Sequence, residues 1–317
     1  MSTLLLEFWT EDNDFCIYAE AEDYEKELTL KGQAKEIVSH FETIYDIVEE
    51  EKEHRERDLQ DILRTLSELL IAPFVQQLKK CDLVRFVVYE DLVHCAFDLL
   101  LFEGVYLFLQ RSVCYQVEEG KGEDEPAIKL ESALLIADLS ADPEEACWGV
   151  SKLIPQSSYL EVKDADLSVI EEAAGRVDAL VISAHGELDD DDHGMVYIND
   201  ETIGSKLIGR LEAWVVYFDS CQQGLNMTFL QAFQDKSDTQ FYLGPIISND
   251  AGDSSTKTMA WFFTAMLQHG NPIKALFETR KRLFEFYSKQ KRLDIAISLN
   301  KAFAFRLYEF VDSEDAE

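Results

Sequence analysis

Two residues in this 317-residue chain have side chains that could do chemistry together. His185 lies at the end of the apolar run "DALVISAHG" (178–186), and Cys221 at the end of "AWVVYFDSC" (213–221). A thiol with a pKa of about 8.5 is mostly protonated at neutral pH, and a neighbouring imidazole can take its proton to give a nucleophilic thiolate. Attack on a carbonyl carbon then builds an oxyanion, which needs donors already in place. The N–H of Gly186 can approach a substrate closely because no side chain is in the way. The N–H of Cys221 is the natural second donor, and Gly224 allows the chain to turn tightly behind the nucleophile. Each residue alone has an ordinary reading: a cysteine at a strand end is a small buried hydrophobe, and a His-Gly pair is a turn. Their matched positions, 36 residues apart, favour the joint reading.

The elements that must position this pair follow from the surrounding pattern. "SALLIADLS" reads as a strand, and "DPEEACWGVSKLI" as a helix with Asp142 as N-cap and Pro143 at its first position. "SSYLEV" is a strand and "DLSVIEEAAG" a helix ending at Gly175. Next come the His185 strand, a short strand "MVYIND", a helix "GSKLIGRLE", the Cys221 strand and the strand "FYLGPIIS". Two helices, "SSTKTMAWFFTAMLQHG" and "NPIKALFETRKRLFEFYSK", follow. Strands alternating with helices predict a mainly parallel sheet covered on both faces, an α/β fold. Ligands of such sheets bind beyond the carboxyl ends of the strands. The segment between His185 and Cys221 is long enough for one crossover between parallel neighbours. Adjacent strands would bring imidazole and thiol to one rim, about 5 Å apart. Trp214 and Phe218 read as core.

The first half differs. Leu4–Trp9 and Phe15–Ala19 alternate around "TEDND" and predict a hairpin. From about 33 to 80 the apolar spacing is helical, through Ile37, Phe41 and Ile44 and later Leu59, Leu63, Leu66 and Leu70, with Pro73 restarting the last piece. Leu83–Tyr89 reads as a buried strand, and Val105–Leu109 and Val113–Val117 as short ones. "EEGKGEDEPAIK" (118–129) has charge, Gly and Pro without apolar period and reads as a linker. It places domains at 1–118 and 130–317, joined by 119–129. No repeat at solenoid periods is present.

Composition bounds the partners. Sixty-two acids against 29 bases give a net charge of −33. Such a surface repels nucleic acid and anionic lipid, so neither is an expected partner, and it attracts basic ones. Solubility, or a salt-adapted host, explains the same charge. No apolar run of about 18 residues suggests a membrane span. The start lacks a basic n-region, so no signal peptide is expected. The six cysteines, at 16, 81, 95, 114, 147 and 221, form no CxxC pair. They are expected to be reduced thiols in a cytoplasm, with no zinc site.

"ISAHGE" followed by "VVYFDSCQQG", then a strand and two helices, resembles the CHAT family of caspase-like cysteine peptidases, in the clan that also holds caspases, metacaspases, gingipains and separase. The likeness extends over about 60–317, through "PFVQQLKKCDLVRFVVYEDLVHCAFDLLLFEGVYLFLQRSVCY" and "LIADLSADPEEACWGVSKLI", where Glu145-Ala146 starts a helix. Ala96 stands near where the family usually has proline. The resemblance implies a caspase-like sheet sandwiched by helices, with 1–118 carrying a degenerate caspase-like half and 130–317 the catalytic one. It implies peptide-bond hydrolysis through a thioester, with Cys221 as nucleophile, His185 as acid and base, and no third catalytic residue. It implies a dedicated protein substrate and activation by a partner in a bacterial defence or signalling pathway. This chain lacks the helical repeats of many members, so the activator is expected to be a separate protein.

"DSCxxG" further resembles metacaspases, where the Asp two before the nucleophile lines a pocket for a basic side chain. Asp219 holds that position. The alternative is that backbone N–H groups satisfy Asp219. Asp250 or Asp253, in "SNDAGDSS", would contribute to the pocket's other wall. "GELDDDDHGM" (186–195) follows the catalytic histidine. No cofactor is expected, although clustered oxygens suit calcium and some relatives need it. The spacing fits no EF-hand, so an acidic lid or a guide for basic substrate is the competing reading. His193 lies outside a strand tip and is not read as the base. Two rival functions remain: a catalytically silent interaction module of the same fold, and a thiol enzyme of other chemistry such as acyl transfer.

Overall fold

The computed structural model describes residues 2–118, 120, 122, 125–188, 194–248, 251–290 and 294–311. They fall into two compact units. One takes the chain through residue 118 together with 280–303, and the other takes 126–279 and 304–311.

In the first unit, β1 (Thr3–Glu11), β2 (Asp14–Ala21) and β3 (Tyr24–Leu30) form an antiparallel meander, followed by α1 (Ala34–Glu49), α2 (Glu56–Leu70) and the single turn α3 (Val75–Leu78). β4 (Leu83–Val88) and β7 (Ser112–Gln116) extend the sheet in parallel with β1, in the order β3-β2-β1-β4-β7. Between them β5 (Leu101–Phe102) and β6 (Val105–Tyr106) make a small hairpin, and Leu107–Leu109 is a 3₁₀ turn rather than the strand the sequence suggested. Pro73 restarts the chain after α2 in a 3₁₀ turn, as its missing N–H requires. The core is aromatic: Phe8 stacks on Phe97 with centroids 4.0 Å apart, and Phe41 meets Phe97 edge-on.

The second unit carries the site. Its strands are β8 (Ser132–Ala137), β9 (Gln156–Glu161), β10 (Ala179–Ser183), β14 (Val215–Asp219), β15 (Phe241–Pro245) and β16 (Phe305–Glu309), in sheet order β16-β15-β14-β10-β8-β9. All pairings are parallel except β15 with β16. A separate three-stranded piece, β11 (Gly186–Leu188), β12 (Gly194–Ile198) and β13 (Glu201–Ile203), rises from the end of β10. The unit's helices are α4 (Ala146–Ser151), α5 (Leu167–Ala174), α6 (Ser205–Ile208), α7 (Met227–Lys236), α8 (Ser254–His269) and the first part of α9 (Pro272–Ser288), whose residues from 280 onward belong with α10 (Ile295–Phe303) to the first unit. β10, β14 and β15 are buried along their whole length, which is why they read as continuous apolar runs. Alternation along β14 assigns the two faces. Tyr217 packs on Phe262 and Phe263 of α8, and Phe218 packs on Phe229 of α7.

Three expectations need correction. α4 begins at Ala146, not Pro143: Asp142 does cap it, accepting from the N–H groups of Ala146 and Cys147 at 2.7 and 2.9 Å, but the chain first passes through a left-handed residue, Glu145. Trp214 is 45% exposed because it precedes β14, on the sheet's rim. The stretch 280–303 belongs to the first unit, where Arg280 pairs with buried Asp98 at 2.7 Å and Asn300 donates to the Val48 carbonyl at 3.0 Å. No helix among the described residues is long and apolar enough to cross a membrane.

Candidate active site

β10 and β14 are parallel neighbours, and their register pairs Ser183 with Asp219. Two residues beyond that pair, on the same rim, stand His185 and Cys221. The Ala184 N–H still donates to the Asp219 carbonyl at 3.3 Å, so the strands separate only as the two side chains are reached. His185 is exposed, and Cys221 is half-buried, while the other five cysteines are buried.

The segment after His185 folds back over the Cys221 loop. The Tyr197 N–H donates to the His185 carbonyl at 2.9 Å, which makes Gly186 and Val196 a non-hydrogen-bonded pair. The Gly186 N–H therefore faces away from β12. A Cβ at Gly186 would sit 3.0 Å from Ser220 Cβ and 3.2 Å from Gln223 Nε2, so this glycine permits the close approach of the two motif segments.

Behind Cys221 the chain turns at Gln222, which has a φ of 58°. Gly224 is not the left-handed residue. It is needed because a Cβ there would lie 2.5 Å from the Gly244 carbonyl oxygen of β15. Fully buried Gln223 ties the loop together, donating to the carbonyls of Cys221 and Glu187, both at 3.2 Å. Its Oε1 accepts from Asn226, which in turn caps α7 through the Phe229 N–H. Two buried tyrosines anchor the same loop to the sheet: Tyr242 donates to the Gln223 carbonyl at 3.0 Å, and Tyr308 to the Gly224 carbonyl at 2.6 Å. No sequence period marks these tyrosines as partners of the loop.

Asp219 is 8% exposed. Its Oδ2 accepts from the Ser183 hydroxyl at 3.2 Å and from the Ser255 hydroxyl in the first turn of α8. Asp253 is not gathered into this cluster: it is exposed and its carboxylate pairs with Lys257 one turn along α8. Asp250, His193 and the acidic run 189–193 lie outside the described residues. Among the described residues no cluster of three or more His, Cys, Asp or Glu is placed to hold a metal.

Sequence reasoning missed a partner of the imidazole. Ser140 Oγ lies 2.8 Å from His185 Nε2. The same hydroxyl donates to Asp138 Oδ1 at 2.7 Å, and the Ser140 N–H donates there at 2.8 Å. Burial pushes the Asp138 carboxyl up, but the two Ser140 bonds and the His185 imidazole outweigh it and hold its pKa below the ordinary value. The sequence signal was present: Asp-Leu-Ser directly after β8 is the spacing of an Asx turn. Its target became visible only with the β8–β10 pairing, which sets Ala137 beside Ser183. Desolvation and the Asp142 and Asp219 carboxylates push the Cys147 thiol far above its usual pKa.

This geometry can be set beside solved structures. A chain of the Saccharomyces cerevisiae separase–securin complex superposes with a TM-score of 0.62 over 97% of this chain, at 9% identity. The fold is separase-like. It is a mostly parallel α/β sheet flanked by helices. The chain spans 30% of the length of that separase chain. No protein-family model matches the sequence, and no curated protein does.

Proposed function

We propose that this protein is a cysteine endopeptidase of the CHAT type within the caspase-like clan. The observation that carries the reading is the β10–β14 register, which ends with His185 and Cys221 at equivalent positions on one rim. In the reaction, His185 takes the Cys221 proton and Sγ attacks the scissile carbonyl carbon. The tetrahedral oxyanion is held by the N–H groups of Gly186 and Cys221. The C–N bond breaks as the imidazolium protonates the leaving amine, leaving a thioester that water hydrolyses with His185 again as base.

The cleaved bond follows Arg or Lys. Asp219 supports this choice: its carboxylate lies two residues before the nucleophile and is oriented by Ser183 and Ser255 before any substrate arrives. A guanidinium there makes a charge-assisted pair. Asp253, exposed and paired with Lys257, would act on the approach rather than in the pocket. The strongly acidic chain favours a basic protein substrate, and a separate partner would activate cleavage.

The test is a peptide library cleaved by the wild type, with Cys221→Ala as blank. Cleavage after Arg or Lys is expected. Asp219→Asn should lose about 2–4 kcal/mol of transition-state binding for basic substrates and much less for neutral ones. A preference for Asp or a large apolar residue would end the pocket assignment and leave the dyad standing. An intact fold with no cleavage, whatever partner is added, would favour the silent interaction module.

A further inference from the structure

We infer that Ser140 and Asp138 are positioning residues for His185: a hydroxyl relay that selects the imidazole tautomer presented to Cys221 and supports the imidazolium once it forms. The inference rests on the peptidase reading for its purpose but not for its geometry.

A serine hydroxyl carries one hydrogen and two lone pairs. Ser140 spends its hydrogen on Asp138 Oδ1 at 2.7 Å, where the Ser140 N–H also donates at 2.8 Å. An ionised carboxylate can only accept, so this direction is fixed. Toward His185 the hydroxyl has only a lone pair to offer. The 2.8 Å contact with Nε2 therefore requires the proton on Nε2. In the neutral ring Nδ1 is then unprotonated, and it is the nitrogen left free to receive the thiol proton. When Nδ1 gains that proton, the positive ring faces a hydroxyl already polarised by a carboxylate. Such support for the charged form is what a catalytic imidazole requires of its second nitrogen.

The relay is held by the fold. The Asp138 N–H donates to the Ser183 carbonyl at 2.8 Å, tying the end of β8 to the end of β10. The Asp138 carbonyl accepts from the N–H groups of Ala141 and Asp142 at 2.9 and 2.8 Å, closing the turn that presents Ser140. Asp142 then anchors that turn to α4 through the N–H groups of Ala146 and Cys147. In the open rim Ser140 and His185 are both exposed, where water competes for such bonds. A peptide lying over the rim would displace that water and strengthen them.

The decisive experiment reads the tautomer directly on the resting full chain, with no substrate. Histidine is labelled with nitrogen-15, His185 is assigned by its loss in His185→Ala, and the two ring nitrogens are read by NMR with the imidazole neutral. The wild type should show the Nε2–H form. Ser140→Ala should convert His185 to a mixture, and Ser140→Thr, which keeps the hydroxyl, should restore the single form. Asp138→Asn keeps an oxygen beside Ser140 and removes the charge. It should retain the tautomer but slow Cys221 alkylation near pH 6 by about 10- to 100-fold, the scale of a lost charge-assisted bond. An Nδ1–H form in the wild type, or an unchanged form in Ser140→Ala, would overturn the relay. If the tautomer behaves as expected but Cys221→Ala still cleaves peptides, the relay stands and the peptidase assignment falls.

Discussion

Removing one oxygen atom from Tyr308 tests whether the Cys221 loop is held from behind by the sheet. Tyr308→Phe leaves the ring in place, including its stack on Tyr242 at 6.3 Å, and opens no cavity. It deletes two hydrogen bonds: the donation to the Gly224 carbonyl at 2.6 Å and the acceptance from Arg306 Nη1 at 3.3 Å. Tyr308 and Arg306 are both fully buried, so water cannot step in without rearrangement. Leaving a buried carbonyl without its donor costs about 1–3 kcal/mol, and the longer bond to the guanidinium adds about 0.5–1 kcal/mol. The expected loss is about 1.5–4 kcal/mol, read as a lower urea midpoint with an unchanged slope. The companion Tyr242→Phe removes the donor to the adjacent Gln223 carbonyl. Because the two carbonyls lie on one short turn, the double variant should depart from additivity. A stability loss below about 0.5 kcal/mol for Tyr308→Phe would refute the idea that this hydroxyl secures the loop.

The first unit should depend on its buried ion pair. Asp98 accepts from Arg280 at 2.7 Å and from the Tyr115 hydroxyl at 2.6 Å, with the guanidinium packed 4.8 Å from the Phe303 ring centroid. Asp98→Ala strands the arginine and should cost about 3–5 kcal/mol by equilibrium unfolding; a near-neutral variant would contradict that. Thiol labelling should separate the cysteines by pH. Burial pushes Cys81 up to about 11 and Cys147 well above the ordinary range. Only their protonated, unreactive forms are present below those values, so native alkylation at pH 8 should modify Cys221 and spare both. Modification of Cys147 before Cys221, mapped by peptide mass spectrometry, would contradict the burial argument.

The placement of the candidate pair was legible in the sequence because both residues follow strands buried on two faces, and such strands announce themselves as unbroken apolar runs. "ALVIS" and "VVYFD" could scarcely be anything else, and the polar residue that ends each run marks the rim. Elements without that signal were missed. β3, "YEKELTL", has no buried residue, and is a strand only because β2 offers it an edge. β16 carries Arg306 and Glu309 inside an otherwise apolar stretch, although both are buried. α7 was overlooked because its capping residue, Asn226, follows a loop whose purpose lies in Gln223. Ser140 was invisible as a partner of His185 for a different reason. The two are 45 residues apart, and only strand pairing brings them together.

The central claim is that His185 and Cys221 form one reactive unit. The most direct measurement is the rate at which iodoacetamide alkylates Cys221 near pH 6, followed residue by residue by mass spectrometry, in the wild type and in His185→Ala. An ordinary thiol is almost entirely protonated there. The account predicts that Cys221 reacts at least about tenfold faster in the wild type than in His185→Ala, with the histidine supplying the charge that sustains a thiolate. Equal rates in the two proteins would mean that the imidazole and the thiol do not communicate, and the peptidase assignment would fall with them.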